Sequence, residues 1–105
     1  MLPRLLMIED DQRLANMVIT YLHQNGYQVV HATTAHAGLS LLAEQADSAP
    51  FAPPFSLLLL DLMLPDAFGL DICKQIRAQT GASAEIPIIM LTAKGDPMDK
   101  VIGLE

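Results

Sequence analysis

The chain has 105 residues, of which 51% are hydrophobic, so it is long enough and apolar enough to form one globular domain with its own core. Twelve acidic residues against six basic ones argue against a basic face that binds nucleic acid. A single cysteine excludes an internal disulfide, and the apolar runs are too short for a membrane span or a signal peptide, so we expect a cytoplasmic protein without a membrane partner.

The first half of the chain alternates strand-like and helix-like patterns. An apolar run from Leu5 to Ile8 predicts a buried strand, and the apolar spacing after it predicts a helix that ends at Asn25-Gly26. A second strand is predicted over residues 28–32. Thr34 is the expected cap of a second helix, whose core side would carry Ala35, Gly38, Leu39 and Leu42.

The second half repeats this alternation after a proline-rich segment. Three prolines in residues 46–54 predict a long loop that cannot continue the helix. Residues 55–60 predict a central parallel strand, and a third helix is predicted through Leu70, Ile72, Cys73 and Ile76, ending near Gly81. Residues 86–91 predict a fourth strand, after which Asp96-Pro97 would open a fourth helix through Val101, Ile102 and Leu104.

Polar side chains follow three of these strands. Glu9 and Asp10 follow the first strand, Asp61 the third and Thr92 the fourth. With strand order 2-1-3-4, the carboxylates would lie on both sides of the point where the order reverses, which is where open parallel sheets bind ligands. Clustered carboxylates repel one another, and a hard divalent cation relieves the repulsion. Mg²⁺ fits best, because it takes one or two carboxylates, keeps several waters and leaves room for phosphate oxygens.

This arrangement favours Asp61 as a phosphoryl acceptor. A carboxylate held beside Mg²⁺ can attack phosphorus and form an acyl phosphate. Thr92, at the end of the adjoining strand, is placed to donate its hydroxyl to a phosphoryl oxygen. Because that bond exists only after modification, the loop at Thr92 could report phosphorylation to other parts of the molecule.

Three segments of the sequence resemble the principal motifs of response-regulator receiver domains, in their order and approximate spacing. They are LLMIEDDQRLA, LLLLDLMLPDAFGLDICKQIR and IPIIMLTAKGD, and the resemblance extends over essentially the whole chain. The resemblance is to receivers of two-component signal transduction, and above all to the branch that carries a winged-helix DNA-binding domain after the receiver. It implies an α/β, flavodoxin-like, doubly wound parallel sheet.

The resemblance also implies a site and its partners. Glu9, Asp10, Asp61 and the backbone carbonyl of Met63 would hold Mg²⁺, Thr92 would be the switch hydroxyl, and Ala93 would leave room for the phosphoryl group. Asp11, a third acid beyond the pair, would either support the metal ligands from behind or cap the helix. The chain would be a phosphorylated signalling domain and not an enzyme. Its partners would be a sensor histidine kinase and, on activation, a second copy, with DNA bound only through an output domain outside this chain.

The sequence departs from this family in its last part. A complete receiver continues into a fifth strand, which carries a phosphoryl-pairing lysine and an aromatic switch residue, and then into a fifth helix. We expect none of these here, because Lys94 and Lys100 fall at the wrong places to supply the lysine. Residues 1–105 are therefore expected to be the N-terminal part of a receiver, truncated within helix four and with an uncovered edge at strand four. Such a chain would be a fragment of a longer regulator, or a second copy would cover its edge.

Three other functions fit parts of the pattern. A hydrolase with an aspartyl-phosphate intermediate usually has a second acid two residues after its nucleophile, where this chain has Met63. A flavin- or nucleotide-binding module would need a glycine-rich loop after the first strand, where this chain has three acids. An interaction domain that is never phosphorylated remains open. Cys73 is expected to be a core residue, and His23, His31 and His36 are expected at the surface, without metal-ligand spacing.

Overall fold

A computed structural model describes residues 3–48, 55–79, 85–91 and 101–104. In chain order, these residues form the elements β1 (Arg4–Ile8), α1 (Gln12–Gln24), β2 (Gln28–Ala32), α2 (Ala35–Ser48), β3 (Phe55–Asp61), α3 (Gly69–Arg77), β4 (Ile88–Leu91) and β5 (Val101–Leu104). The strands form one sheet in the order β2-β1-β3-β4-β5. The first four strands are parallel, which confirms the predicted α/β class and the strand order 2-1-3-4. Within these ranges, no helix combines the length and the apolar character that crossing a membrane requires.

The two central strands carry the most apolar sequence because helices cover both of their faces. Alternate side chains of a strand point to opposite sides of the sheet. Leu6, Ile8, Leu58 and Leu60 are buried beneath α2 and α3 in a large core cluster. Met7 and Leu59 point the other way, where they pack with Ala15 of α1 in a smaller cluster. The continuous apolar runs of β1 and β3 are thus those of strands buried on both sides.

The face of the sheet beside α1 is only partly covered by the described residues. Met17 and Tyr21 of α1 are 70% and 65% exposed, although their spacing places them on the apolar side of the helix pattern. They border an open groove of about 420 Å³, which is lined by Leu14, Met17, Val18, Tyr21, Leu22, Leu59, Ile89 and Leu91.

The ends of α1 and the start of α2 are set by the residues that the sequence indicated. The Asp11 side chain caps α1 by accepting from the N–H groups of Arg13 and Leu14. After α1, Gly26 has a φ of 90°, in the left-handed region that glycine adopts without strain. The hydroxyl of Thr34 accepts a hydrogen bond from the N–H of Ala37, so the predicted cap of α2 is confirmed.

Two boundaries differ from the sequence prediction, and a third cannot be compared. Residues 46–48 continue α2 instead of forming a loop, because the first proline of that segment comes only at position 50. Strand β4 begins at Ile88, one residue after Pro87, which lacks the N–H that a strand pairing needs. The predicted end of the third helix near Gly81 lies outside the described residues.

The prediction of a helix through Val101–Leu104 is wrong. These residues form β5, which pairs antiparallel with β4. The edge of β4 offers a row of backbone N–H and C=O groups, and the β-branched pair Val101-Ile102 favours an extended chain that can bond to them. The prediction that the edge of the fourth strand stays uncovered is therefore also wrong. Strand β5 contains no lysine and runs opposite to the other strands.

Candidate acidic site at the carboxyl ends of the central strands

Adjacent parallel strands bring three carboxylates together. Ile8 of β1 pairs with Leu60 of β3, so the next residues along each strand, Glu9 and Asp61, leave the sheet side by side. One carboxylate oxygen from each of Glu9, Asp10 and Asp61 lies within 4.8 Å of the others. Glu9 is 0% exposed and Asp61 is 1% exposed, whereas Asp10 is half-buried. The cluster therefore opens toward solvent beside Asp10.

Backbone groups orient the buried carboxylates. Glu9 accepts a hydrogen bond from the N–H of Asp11 at 3.0 Å through Oε2. Asp61 accepts one from the N–H of Met63 at 3.2 Å through Oδ1. The ring of His31, on β2, donates from Nε2 to the backbone carbonyl of Glu9 at 2.7 Å. Each side of the cluster is thus fixed by groups within two residues or on the neighbouring strand.

The surroundings of Asp61 make its ionisation costly. The pKa of Asp61 is raised from 3.8 to about 7, first by burial and then by hydrogen bonds to the carboxyl groups of Glu9 and Asp10. The N–H of Met63 lowers the pKa but does not offset these contributions. Near pH 7, Asp61 is therefore protonated in about half of the molecules, and a positive charge in the cluster would favour its ionised form.

The donor set fits a hard divalent cation. The three oxygen ligands converge at one end of the sheet, and two of them belong to fully buried carboxylates whose mutual repulsion a cation would relieve. Aspartate and glutamate oxygens are the ligands that Mg²⁺ prefers, and a site with few protein ligands leaves positions for water and phosphate. Glu9, Asp10 and Asp61 are therefore the residues that could hold Mg²⁺.

The structure brings together some of the predicted site residues and leaves others untested. Glu9, Asp10 and Asp61 meet, and Met63 follows Asp61 closely enough for its N–H to bond to that carboxylate. The side chain of Asp11 caps α1, which is one of the two roles considered for it, and its backbone N–H bonds to the predicted ligand Glu9. Thr92 and Ala93 lie outside the described residues, so their predicted switch roles stay predictions.

Two residues near the site did not emerge from the sequence. His31, predicted to be a surface residue, is half-buried and bonded to Glu9. Asp66, in the loop after β3, accepts from the N–H groups of Ala35 and His36 at the start of α2. An acid after a proline in a loop is a usual capping residue, but only the fold shows that its partners lie some thirty positions earlier.

Comparison with known proteins identifies a family for this fold and site. The family model of the response regulator receiver domain matches residues 5–105 of this sequence. The transcriptional regulatory protein AfsQ1 of Streptomyces coelicolor is 38% identical over 99% of this chain, and the transcriptional regulatory protein AruR of Pseudomonas aeruginosa is 34% identical over 100% of it. The chain spans 41% and 40% of the lengths of these two relatives.

Solved structures agree with this match. The non-phosphorylated HemR receiver domain of Leptospira biflexa superposes with a TM-score of 0.66 at 32% identity, over 91% of this chain and 68% of that one.

Proposed function

The chain belongs to the response regulator receiver domain family, and we propose that its Asp61 accepts a phosphoryl group from a sensor histidine kinase in a Mg²⁺-dependent reaction. The observation that carries the proposal is the meeting of Asp61 with Glu9 and Asp10 at the carboxyl ends of β1 and β3. A buried carboxylate in this position can act as a nucleophile when it is ionised, and its two neighbouring acids can share a cation with it.

The proposed step uses Asp61 as the nucleophile. One of its carboxylate oxygens forms a bond to the phosphorus of a phosphohistidine while the P–N bond of the donor breaks. The imidazole nitrogen keeps the electron pair and takes a proton from solvent. Asp61 has to be ionised for this attack, and the N–H of Met63 helps to orient the carboxylate through Oδ1. The product is an aspartyl phosphate.

Glu9, Asp10 and Asp61 would hold the metal ion, and the backbone carbonyl of Met63 is the proposed fourth protein ligand. When bound, Mg²⁺ neutralises charge on the phosphoryl oxygens and on the carboxylates. Glu9 and Asp10 contribute negative charge that holds the ion, and Thr92 and Ala93 are proposed to contact the phosphoryl group. The carboxylate of Glu9 is held in one orientation, because it is buried and bonded to the N–H of Asp11.

We propose that phosphorylation controls a transcription-regulating output domain that lies outside this chain. The matched relatives AfsQ1 and AruR are transcriptional regulatory proteins more than twice as long as this chain, which supports residues 1–105 being the receiver part of a longer regulator. DNA would be bound by that output domain, and the phosphorylated regulator would form a homodimer. Light scattering before and after treatment with beryllofluoride would test the dimer.

The test of the acceptor is chemical. The protein, and the longer regulator that contains it, are incubated with Mg²⁺ and acetyl phosphate and then analysed by intact mass. We expect the mass of one added phosphoryl group in the wild type and in Asp71→Asn, which removes an exposed acid of α3, and no addition in Asp61→Asn. Spectral changes with beryllofluoride should follow the same pattern.

The same experiment separates the competing functions. A longer regulator that binds Mg²⁺ but gains no phosphoryl group at Asp61 would be a phosphorylation-silent interaction domain. Steady release of phosphate from a small phosphate ester would indicate a hydrolase. Met63, at the position where such hydrolases carry a second acid, cannot supply a proton, and its side chain is 54% exposed.

A further inference from the structure

One side chain ties the loop after β3 to the start of α2. Asp66 accepts from the N–H of Ala35 at 2.9 Å through Oδ1 and from the N–H of His36 at 3.0 Å through Oδ2. Thr34 accepts from the N–H of Ala37 at 3.1 Å. A helix start leaves four N–H groups without intrahelical partners. Three of them are bonded here, two by a residue from another part of the chain.

The loop that carries Asp66 is a narrow closed turn. Gly69 donates to the carbonyl of Leu62 at 2.6 Å, and Leu64 donates to the carbonyl of Ala67 at 3.0 Å. Asp66 therefore lies near the tip. At the base of the loop, the N–H of Leu62 donates to the carbonyl of Leu91 at 3.1 Å, and this bond attaches the loop to β4. The loop is thus fixed by backbone bonds at its base and by a side chain at its tip.

Helix α2, to which the tip is attached, lies directly against β1. Gly38 faces Ile8 so closely that a Cβ atom at position 38 would overlap the Ile8 side chain. Ile8 immediately precedes Glu9 and Asp10. The start of α2 is therefore held in a fixed position relative to the acidic pair. Asp66 thereby connects the part of the site that contains Asp61 to the part that contains Glu9 and Asp10.

We infer that Asp66 is a positioning residue for metal binding, whose bonds to α2 hold the loop segment containing Met63 in place relative to Glu9 and Asp10. The inference rests on the proposed function, because it assigns Asp66 to support the same Mg²⁺ site. Without these bonds the tip of the loop is free to move, and the ion has to order the segment when it binds. Residues that orient metal ligands commonly affect metal affinity by about ten- to a hundredfold.

The test compares Mg²⁺ dissociation constants by NMR titration of backbone amides. The proteins are the wild type, Asp66→Ala, Asp66→Asn and the control Asp71→Asn, at a temperature at which urea unfolding shows each of them to be folded. Asp71 is an exposed acid in the first turn of α3, so its neutralisation matches the charge change of Asp66→Asn. We expect Asp66→Ala to raise the dissociation constant about tenfold. Asp66→Asn, which keeps one accepting oxygen, should have a smaller effect, and Asp71→Asn should match the wild type.

Two results would overturn the inference. A residue that only caps α2 would lower the unfolding free energy in Asp66→Ala, shift the amide signals of Ala35 and His36, and leave the Mg²⁺ dissociation constant of the folded protein unchanged. An equal loss of affinity in Asp66→Asn and Asp71→Asn would assign the effect to charge alone. A wild-type protein that binds no Mg²⁺ would instead refute the proposed function itself, together with the inference.

Discussion

Neutralising Asp61 should stabilise the metal-free protein above neutral pH. The pKa of Asp61 is about 7 in the folded chain, against about 3.9 for an aspartate in an unfolded one. The folded state binds the proton more tightly, so the free energy of unfolding falls as the pH rises from about 4 to 7 and is then constant. This difference in the pKa of Asp61 corresponds to roughly 4 kcal/mol at pH 8. It is an upper value for the gain in Asp61→Asn, because interactions with Glu9 and Asp10 contribute to the raised pKa.

The assay is urea unfolding followed by far-ultraviolet circular dichroism, because the chain contains no tryptophan. At pH 8 with a chelator, we expect Asp61→Asn to be more stable than the wild type by about 2 to 4 kcal/mol. The difference should shrink at pH 4, where Asp61 of the folded wild type is protonated. It should also shrink with excess Mg²⁺, which stabilises the wild type by about 2.7 kcal/mol at a hundred times its dissociation constant.

Glu44→Gln, which neutralises an exposed acid of α2, is the control, and its unfolding free energy should differ little from that of the wild type. If Asp61→Asn is no more stable than the wild type at pH 8 without metal, burial and charge repulsion do not destabilise the ionised Asp61.

Three further predictions address the surroundings of the site. Gly69→Ala should lower the unfolding free energy by about 1 to 3 kcal/mol and weaken Mg²⁺ binding. The reason is that the new Cβ would lie 2.5 Å from the backbone carbonyl oxygen of Asp61. Unchanged thermal unfolding and unchanged Mg²⁺ titrations would contradict this prediction. Asp11→Ala should cost about 1 kcal/mol by removing the cap of α1, whereas Asp11→Asn should keep most of the stability in the same urea assay. The Mg²⁺ dissociation constant should rise about tenfold for each pH unit below the Asp61 pKa of about 7 and level off above it, because one proton competes with the ion. A flat profile in calorimetric titrations would contradict this competition.

Much of this fold could be predicted because its signals are local. The apolar runs of β1 and β3 are long enough to indicate burial on both faces, and Asn25-Gly26 ends α1 as the sequence indicates. The acidic site could also be predicted from the sequence, since each acid directly follows a strand and parallel strands end at one edge of the sheet. The conformation of residues 101–104 could not be predicted from the sequence, because Val101-Ile102 fits either an apolar helix face or a strand. Only pairing with the edge of β4 decides between them.

Asp66 shows the same limit within the site. Its neighbours in sequence indicate a turn, but its hydrogen-bond partners are the first residues of α2, and no periodicity connects the two segments. Asp11, by contrast, caps the helix that it directly precedes, so local sequence was enough to suggest its role. Side chains that act on their own element can be read from sequence, and those that join two elements need the fold.

The burial that makes Asp61 costly to ionise also prepares it to respond to a cation. A solvated aspartate would be ionised at neutral pH whether or not a metal ion were present, so its protonation state would not depend on metal binding. Asp61 instead is close to half-protonated near pH 7 when the site contains no positive charge. A cation held by Glu9 and Asp10 would favour the ionised form of Asp61, so the proposed nucleophile would be more fully ionised near neutral pH when the cation is bound. The placement of two fully buried acids at the end of the most apolar strands therefore destabilises the empty site and, in the proposed reaction, links the reactivity of Asp61 to the presence of Mg²⁺.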